Sequence, residues 1–156
     1  MHVRLDDLSG PEIAEFLEGH LADMRRISPP ESKHALDLDA LRQPEITFWT
    51  VWDQASLIGC GALKQLDPHH GEIKSMRTAT SHRGKGVASS LLVHMLAVAR
   101  ERGYARVSLE TGSMPFFEPA RNLYARHGFR PCEPFAQYQP DPNSVFLSLW
   151  LEAKTS

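Results

Sequence analysis

A short glycine loop followed at once by an amphipathic helix constrains this chain more than any other feature of its sequence. Gly84 and Gly86 flank Lys85, and Arg83 precedes them. Because glycines have no Cβ, they let a ligand approach the backbone and let the backbone adopt positive φ angles. Apolar residues then recur at three- and four-residue spacing, which predicts a helix from about residue 87. A helix N-terminus with free N–H groups and two nearby cations predicts an anion site, most naturally for phosphate or pyrophosphate.

Two common phosphate-binding motifs fit this loop poorly. A P-loop for nucleoside triphosphates needs a lysine followed by Ser or Thr, whereas Lys85 is followed by Gly86. A dinucleotide-binding loop needs a third glycine, and its position is occupied by Ser89. Glu110 ends the next predicted strand, where a ribose-binding acid of a dinucleotide fold would lie, so that alternative stays open. A further alternative is a helix N-terminus that only caps a loop.

The run from Arg83 to Ala88 resembles the Arg/Gln-x-x-Gly-x-Gly/Ala signature of the GNAT family of N-acetyltransferases, which bind acetyl-coenzyme A (acetyl-CoA). Its position after a predicted strand, with Leu123-Tyr124 and Gly128-Phe129 downstream, extends the resemblance to about Leu151. The runs 110–113, 119–121 and 140–144 resemble those of a subgroup of uncharacterised acetyltransferases. The resemblance implies an α/β (α+β) fold with a mixed, mostly antiparallel sheet. In that fold the sheet is splayed between its fourth and fifth strands and flanked by helices.

The chain length suits one domain over residues 1–156, which the resemblance identifies as an N-acetyltransferase domain. Hydrophobic patterning and turn residues predict the order of its elements. The predicted strands cover residues 3–5, 46–52, 57–66, 72–78, 106–110 and 144–151. Helices are predicted up to residue 26, over 31–42, after the glycine loop and over 116–127. The first strands form an antiparallel meander, and the helix after the loop connects two parallel strands.

Composition limits the partners and the compartment. A formal net charge of −2 gives no general attraction to nucleic acid or to an anionic membrane, so neither is predicted as a partner. The first residues lack the apolar run of a signal peptide, and two cysteines are too few for a disulfide framework. We therefore expect a cytoplasmic protein with reduced thiols. Exposed edge strands leave room for a homodimer.

Eight histidines raise the question of a metal site. No H-x-x-x-H or C-x-x-C pattern occurs among them or the cysteines. We therefore predict that the protein uses no metal.

The resemblance implies which residues bind acetyl-CoA as the co-substrate. Met76 and Thr78 would pair through their backbone with the pantetheine arm, and an N–H there would polarise the thioester carbonyl. Many relatives have an asparagine seven residues before the tyrosine that corresponds to Tyr124. That position here is Phe117, and Asn122 lies nearby in a different register. We keep Asn122 as a cofactor contact. The residues expected at the pyrophosphate are Arg83, Gly84, Lys85, Gly86, Val87, Ala88 and Ser89.

The resemblance also implies direct attack by the acceptor amine, without an acetyl-enzyme. Tyr124 matches the tyrosine that often lies near the sulfur in this family, where a phenol can protonate the leaving thiolate; alternatively, it only packs. Glu72 is the candidate base, eleven positions before Arg83, although it follows a turn and a solvated carboxylate is the alternative. Glu110, His34 and a water relay are rivals for this role.

The acceptor is expected to be an amine of a small molecule or a peptide. Glu31 and His34 fall on one face of the predicted second helix, and with Glu110 they are candidate substrate-binding residues; a solvated helix face is the alternative. A second hypothesis for the whole chain is a regulatory module that binds acyl-CoA but has lost catalysis, because Phe117 replaces the asparagine and the base is uncertain.

Overall fold

One mixed β-sheet carries the fold. The computed structural model describes residues 1–27 and 38–151, with the side chains of 1–19 and 38–151. Within these residues seven strands pair in the order β1-β2-β3-β4-β5-β7-β6. The strands are β1 (His2–Leu5), β2 (Ile46–Asp53), β3 (Ser56–Asp67), β4 (His70–Thr78), β5 (Arg106–Gly112), β6 (Arg130–Pro131) and β7 (Ser144–Trp150). The helices are α1 (Pro11–Ile27), α2 (Leu38–Leu41), α3 (Val87–Glu101) and α4 (Glu118–Arg126), with 3₁₀ turns at Thr80–His82 and Pro115–Phe117.

The sheet separates in its middle. Strands β1 to β4 pair antiparallel, whereas β4 and β5 pair in parallel across the α3 crossover. The β4–β5 pairing ends at Ile73 and Leu109, although β4 continues to Thr78 and β5 to Gly112. The two strands therefore diverge beyond that point. This confirms the predicted α/β (α+β) class with a mostly antiparallel sheet splayed between strands 4 and 5.

Apolar side chains cover both faces of the sheet. The stripe predicted for α3 is buried on one face, where Leu91, Leu92 and Met95 pack on the strands. On the other face, Ile13 and Leu17 of α1 pack with Phe48 of β2. Burial of such side chains, at about 1.5–3 kcal/mol each, holds the helices against the sheet.

A bulge in β4 changes which way its side chains point. Cys60 of β3 pairs with Arg77, but Ala62 pairs with Lys74, so β4 has one extra residue between these pairs. Ser75, inside the bulge, has a φ of 57°. Met76 consequently packs with the α3 core, near Gly61, where a Cβ would meet its Sδ.

Some element boundaries differ from prediction. Strand β4 begins at His70, which pairs with Arg106, and β5 continues to Gly112, which pairs with Ser144. Pairing between distant strands extends both beyond the turn residues that set the predicted boundaries. The helix predicted from Phe116 starts as a 3₁₀ turn and becomes α-helical at Glu118. Of the helix predicted over 31–42, only Leu38–Leu41 falls within the described residues. No helix of the described part is both long and apolar enough to cross a membrane.

Candidate active site

A cleft of about 840 Å³ opens where β4 and β5 separate. Its walls are the later residues of both strands, the loop before α3 with the first turn of that helix, and the segment 115–126. Tyr138 and Asn143, from the segment between β6 and β7, line it as well. The splay of the sheet therefore creates the cleft, and five stretches of the chain meet in it.

The glycine loop forms one end of the cleft. Gly84 and Gly86 have φ angles of 79° and 80°, and no atom lies within 4 Å of where a Cβ would stand on either. Gly86 is the N-cap of α3 and provides no capping side chain, so the first N–H groups of this 15-residue helix receive no side-chain cap. Open space, free donors and a helix N-terminus fit a phosphate or pyrophosphate group.

Most of the predicted loop residues line the cleft. They are Arg83, Gly84, Gly86, Val87, Ala88 and Ser89. Lys85 is exposed and does not contribute to the lining. The Ser89 hydroxyl is hydrogen-bonded to His127 Nε2 at 3.0 Å, which ties the start of α3 to the end of α4.

The middle of the cleft is bounded by an unpaired strand edge. Met76 and Thr78 line the cleft, and they lie beyond Ile73, where the pairing of β4 with β5 ends. Among the described residues no strand pairs with β4 along this edge. An extended ligand could therefore add to it as a strand does, through backbone hydrogen bonds.

An aromatic wall takes the place of the expected asparagine. The Phe117 ring lies so close to Gly112 that a Cβ there would overlap with it. Arg121 holds this turn, since its Nη1 donates to the Gly112 carbonyl at 2.6 Å and to the Met114 carbonyl at 3.0 Å. Asn122 is exposed and also lines the cleft. This wall is apolar at Phe117, and a polar amide is present only at Asn122.

Tyr124 of α4 lies in the same wall. Its side chain is 5% exposed, packs edge-on against Phe129 at 5.6 Å between ring centroids, and borders the cleft. No group of the described residues is hydrogen-bonded to its hydroxyl. Burial raises the pKa of Tyr124 above its usual value, so the phenol keeps its proton at neutral pH. Such a hydroxyl can act as a proton donor.

A closed polar cluster lies at the other end of the cleft, and we call Glu72, Lys74 and Tyr138 the Glu72 cluster. Lys74 Nζ is 2.9 Å from Glu72 Oε2 and donates to the Tyr138 hydroxyl at 2.8 Å. The Tyr138 hydroxyl in turn donates to Glu72 Oε2 at 2.5 Å. Glu72 is only 2% exposed. Burial and the adjacent Glu72 carboxylate raise the pKa of Tyr138.

Glu110 lies on β5 beside this cluster. Its Oε2 accepts a hydrogen bond from the Ser144 hydroxyl at 2.7 Å, and its side chain lines the cleft. Burial raises the pKa of Glu110 to about 7, partly offset by the Ser144 hydrogen bond and by the Lys74 ammonium. Lys74 lies two residues after Glu72 and so on the same face of the predicted strand, but nothing in the spacing of Tyr138 or Ser144 indicated that they would meet the two glutamates.

Two of the predicted site residues, Glu31 and His34, fall outside the described residues. Within the described part no group of three or more His, Cys, Asp or Glu could hold a metal ion, and the absence of a metal stays a prediction. Both cysteines are free; Cys60 is buried, and its burial raises its pKa to about 12, which suits an inert thiol.

Tyr138→Phe tests how firmly the Glu72 cluster holds the segment between β6 and β7. Removing the hydroxyl takes one partner from a buried carboxylate and one from an ammonium, so we expect the free energy of unfolding to fall by about 1–3 kcal/mol. Urea denaturation measures this change. Tyr104→Phe offers a matched deletion elsewhere, since that hydroxyl donates to Gln65 at 2.8 Å outside the cleft. A Tyr138→Phe protein as stable as wild type would mean that the cluster contributes nothing to the fold.

Comparisons with known proteins agree on one family. A family model described as "Acetyltransferase (GNAT) family" matches residues 13–129. The Bacillus subtilis (strain 168) protein named "Uncharacterized N-acetyltransferase YsnE" is 58% identical over 95% of this chain and 98% of its own length. The Escherichia coli (strain K12) protein named "Uncharacterized N-acetyltransferase YedL" is 51% identical over 96% of this chain and 94% of its own. A GNAT acetyltransferase structure from Elizabethkingia anophelis, with acetyl-CoA bound, superposes with a TM-score of 0.63 at 16% identity, covering 96% of this chain and 97% of that one.

Proposed function

Because this chain belongs to the acetyltransferase (GNAT) family, we propose that it moves the acetyl group of acetyl-CoA to a primary amine of a small molecule or peptide. That it is an acetyltransferase follows from the family; the acceptor and the mechanism are the proposal. One observation carries it: the cleft between β4 and β5 has a phosphate-type loop at one end, Tyr124 along its wall and two carboxylates at the other end.

The chain's residues suit acetyl-CoA as the co-substrate. The N–H groups at the start of α3 and the Arg83 guanidinium would bind the pyrophosphate, with Gly84 and Gly86 leaving room for it. The free edge of β4 at Met76 and Thr78 would bind the pantetheine arm through its backbone. A backbone N–H of this edge would also stabilise the negative charge that develops on the thioester oxygen.

Proton transfers complete the reaction in a ternary complex. We call the end of the cleft with Glu72 and Glu110 the acceptor end. A carboxylate there would take a proton from the acceptor's ammonium group, so that the neutral amine can attack the thioester carbon directly. Tyr124 would donate a proton to the leaving sulfur and regain one from the amine nitrogen, leaving an amide and a free thiol. The position of Tyr124 supports this role, because its side chain is buried on the cleft wall and burial keeps the phenol protonated at neutral pH.

The identity of the base is a choice between two glutamates. Glu72, the candidate predicted from its position, is bonded to both Lys74 and Tyr138. It would act as a base only if one of these bonds opened, whereas Glu110 has one side-chain donor, Ser144. Acceptor recognition by Glu31 and His34, a cytoplasmic location and a homodimer are carried forward as hypotheses.

Calorimetric titration with acetyl-CoA, repeated with NAD and ATP, tests the proposed ligand. We expect selective micromolar binding of acetyl-CoA, followed by release of free thiol when a panel of primary amines is added. Preference for NAD would instead favour the dinucleotide alternative. Binding of acetyl-CoA without acetylation of any amine, amino acid or peptide would favour the regulatory-module alternative.

A further inference from the structure

We infer that Glu110 binds the acceptor as an ammonium ion and takes up the proton that it must lose, which makes aliphatic primary amines the acceptor class. This inference rests on the proposed function, because it names the substrate class and the base of the same cleft. Aliphatic amines are protonated at neutral pH and must lose a proton before they can attack a carbonyl carbon. Aromatic amines and hydroxylamines are already neutral and need no such group.

The position of Glu110 suits contact with an acceptor. It is the first residue of β5 beyond Leu109, where the pairing with β4 stops, and its side chain lines the cleft that Tyr124 also borders. Ser144 donates to Oε2 only, at 2.7 Å, which holds the carboxylate in place. Among side chains of the described residues this is the one donor bonded to Glu110, so Oε1 is available to an incoming ammonium ion.

Glu72 is less suited to the same task. Its Oε2 is shared by the Lys74 ammonium and the Tyr138 hydroxyl, and the side chain is 2% exposed. An acceptor ammonium would have to displace Lys74, which already supplies the positive charge that this carboxylate needs. We therefore assign Glu72 to positioning: through Tyr138 it fixes the segment that covers the acceptor end.

Charges around the acceptor end favour a cation. Glu72 and Lys74 approach Glu110 from β4, Asp141 and Tyr138 from the segment between β6 and β7, and Ser144 from β7. Lys74 is bonded to Glu72, whereas the carboxylate of Glu110 is bonded to the neutral Ser144 hydroxyl, and the charges of Glu72 and Asp141 both raise the pKa of Glu110. A cationic acceptor would be attracted to this carboxylate, whereas an anionic acceptor would be repelled by it.

The acidity of Glu110 fits the role of base. Its pKa of about 7 lies close to physiological pH, where a general base works best. Below that value the group is a neutral acid and cannot attract an ammonium ion. Above it the group is an anion that can bind the ammonium, so ammonium affinity should rise with pH through about 7.

The step is balanced without any other reactant. The acceptor's N–H bond breaks, the proton passes to Glu110, and the freed lone pair forms the C–N bond to the thioester carbon. The C–S bond then breaks as Tyr124 protonates the sulfur and receives the second proton of the nitrogen. Glu110 finally releases its proton to solvent, which restores the starting enzyme.

Titration of the CoA-saturated protein with phenethylammonium tests the binding site without requiring turnover. We expect the affinity of wild type to rise about tenfold between pH 6 and pH 8, as a carboxyl with a pKa of about 7 ionises. Glu110→Gln should bind weakly at both pH values. Glu133→Gln removes an exposed carboxylate of the nearby segment and should behave as wild type. Equal affinity at both pH values, or no binding by wild type, would overturn the inference.

A second variant addresses the same site while keeping the carboxylate. Ser144→Ala removes the hydrogen bond that lowers the pKa of Glu110, so the pH midpoint for phenethylammonium binding should move upward. A merely structural role for Ser144 would weaken binding equally at all pH values and leave the midpoint unchanged.

Turnover with two isosteric amines separates the base from a structural role. Phenethylamine is an ammonium ion at neutral pH, whereas O-benzylhydroxylamine has the same shape and is neutral. Glu110→Gln should lower kcat/KM for phenethylamine by roughly 10²- to 10⁴-fold and reduce it far less for O-benzylhydroxylamine. Equal losses would contradict the role of base. Ammonium binding at Glu110 without acetyl transfer by wild type would count against the proposed function alone, and transfer insensitive to Glu110→Gln would count against this inference alone.

Discussion

Gly86→Glu should abolish acetyl-CoA binding while the chain stays folded. Gly86 has a φ of 80° at the N-cap of α3, with open space around its Cβ position. A glutamate there would place bulk and a negative charge where the pyrophosphate is proposed to bind. Like charges about 4 Å apart repel by up to about 4 kcal/mol near a protein surface, so we expect at least about a 100-fold loss of affinity by calorimetry.

Gly103→Glu is the matched control for this substitution. Gly103 has a φ of 81° and equally open surroundings, but it lies beyond α3, away from the cleft. Both variants should lose a similar amount of stability, about 1–2 kcal/mol, because an L-residue is strained at such a φ. Only Gly86→Glu should lose acetyl-CoA. Unchanged acetyl-CoA affinity in Gly86→Glu would show that the glycine loop does not bind the pyrophosphate.

Tyr124→Phe should lower kcat by about 100-fold or more and leave acetyl-CoA affinity nearly unchanged, since a positioned proton donor contributes roughly 10²- to 10⁴-fold. The ring of Tyr124 packs against Phe129, and a phenylalanine preserves this contact. Its hydroxyl has no partner among the described residues, so its removal should cost little stability. Steady-state kinetics with thiol detection, together with calorimetry, separate the two effects.

Tyr104→Phe provides the comparison for Tyr124→Phe. Tyr104 is 3% exposed and donates to Gln65 at 2.8 Å, outside the cleft. Its loss should lower the free energy of unfolding by about 0.5–1.5 kcal/mol, because the exposed Gln65 can bond to water instead, and should leave kcat unchanged. If Tyr124→Phe instead weakened acetyl-CoA binding while the chemical step was unaffected, Tyr124 would be a cofactor contact or a packing residue.

Local sequence signals predicted the scaffold of the cleft well. The glycines at 84 and 86 do adopt positive φ angles, and α3 does bury its apolar stripe. These features depend on residues close together in the chain, so that periodicity and backbone preference predict them. The splay between β4 and β5, implied by the family resemblance, is confirmed by pairing that ends at Ile73.

Local sequence patterns did not predict the contacts between residues that are distant in the chain. Phe117 departs from the family pattern, and only the structure explains it, because its ring covers Gly112 at the end of β5. Likewise, the position of Glu72 suggested either a catalytic base or a solvated carboxylate, whereas the fold buries its side chain and brings Tyr138 to it from 66 residues away. A hydrogen bond across such a separation leaves no periodic trace in the sequence.

The sequence by itself predicted the order of the elements and the glycine loop before α3, because short-range backbone geometry and hydrophobic periodicity specify them. The fold class and the choice of Tyr124 came from the family resemblance. Only the tertiary structure decided how the two glutamates differ. Glu72 lies within reach of Lys74 and Tyr138, while Glu110 lies at the separating strand edge with Ser144. Burial and neighbouring charges raise the pKa of Glu110, and both arise only when β4, β5 and β7 are assembled side by side.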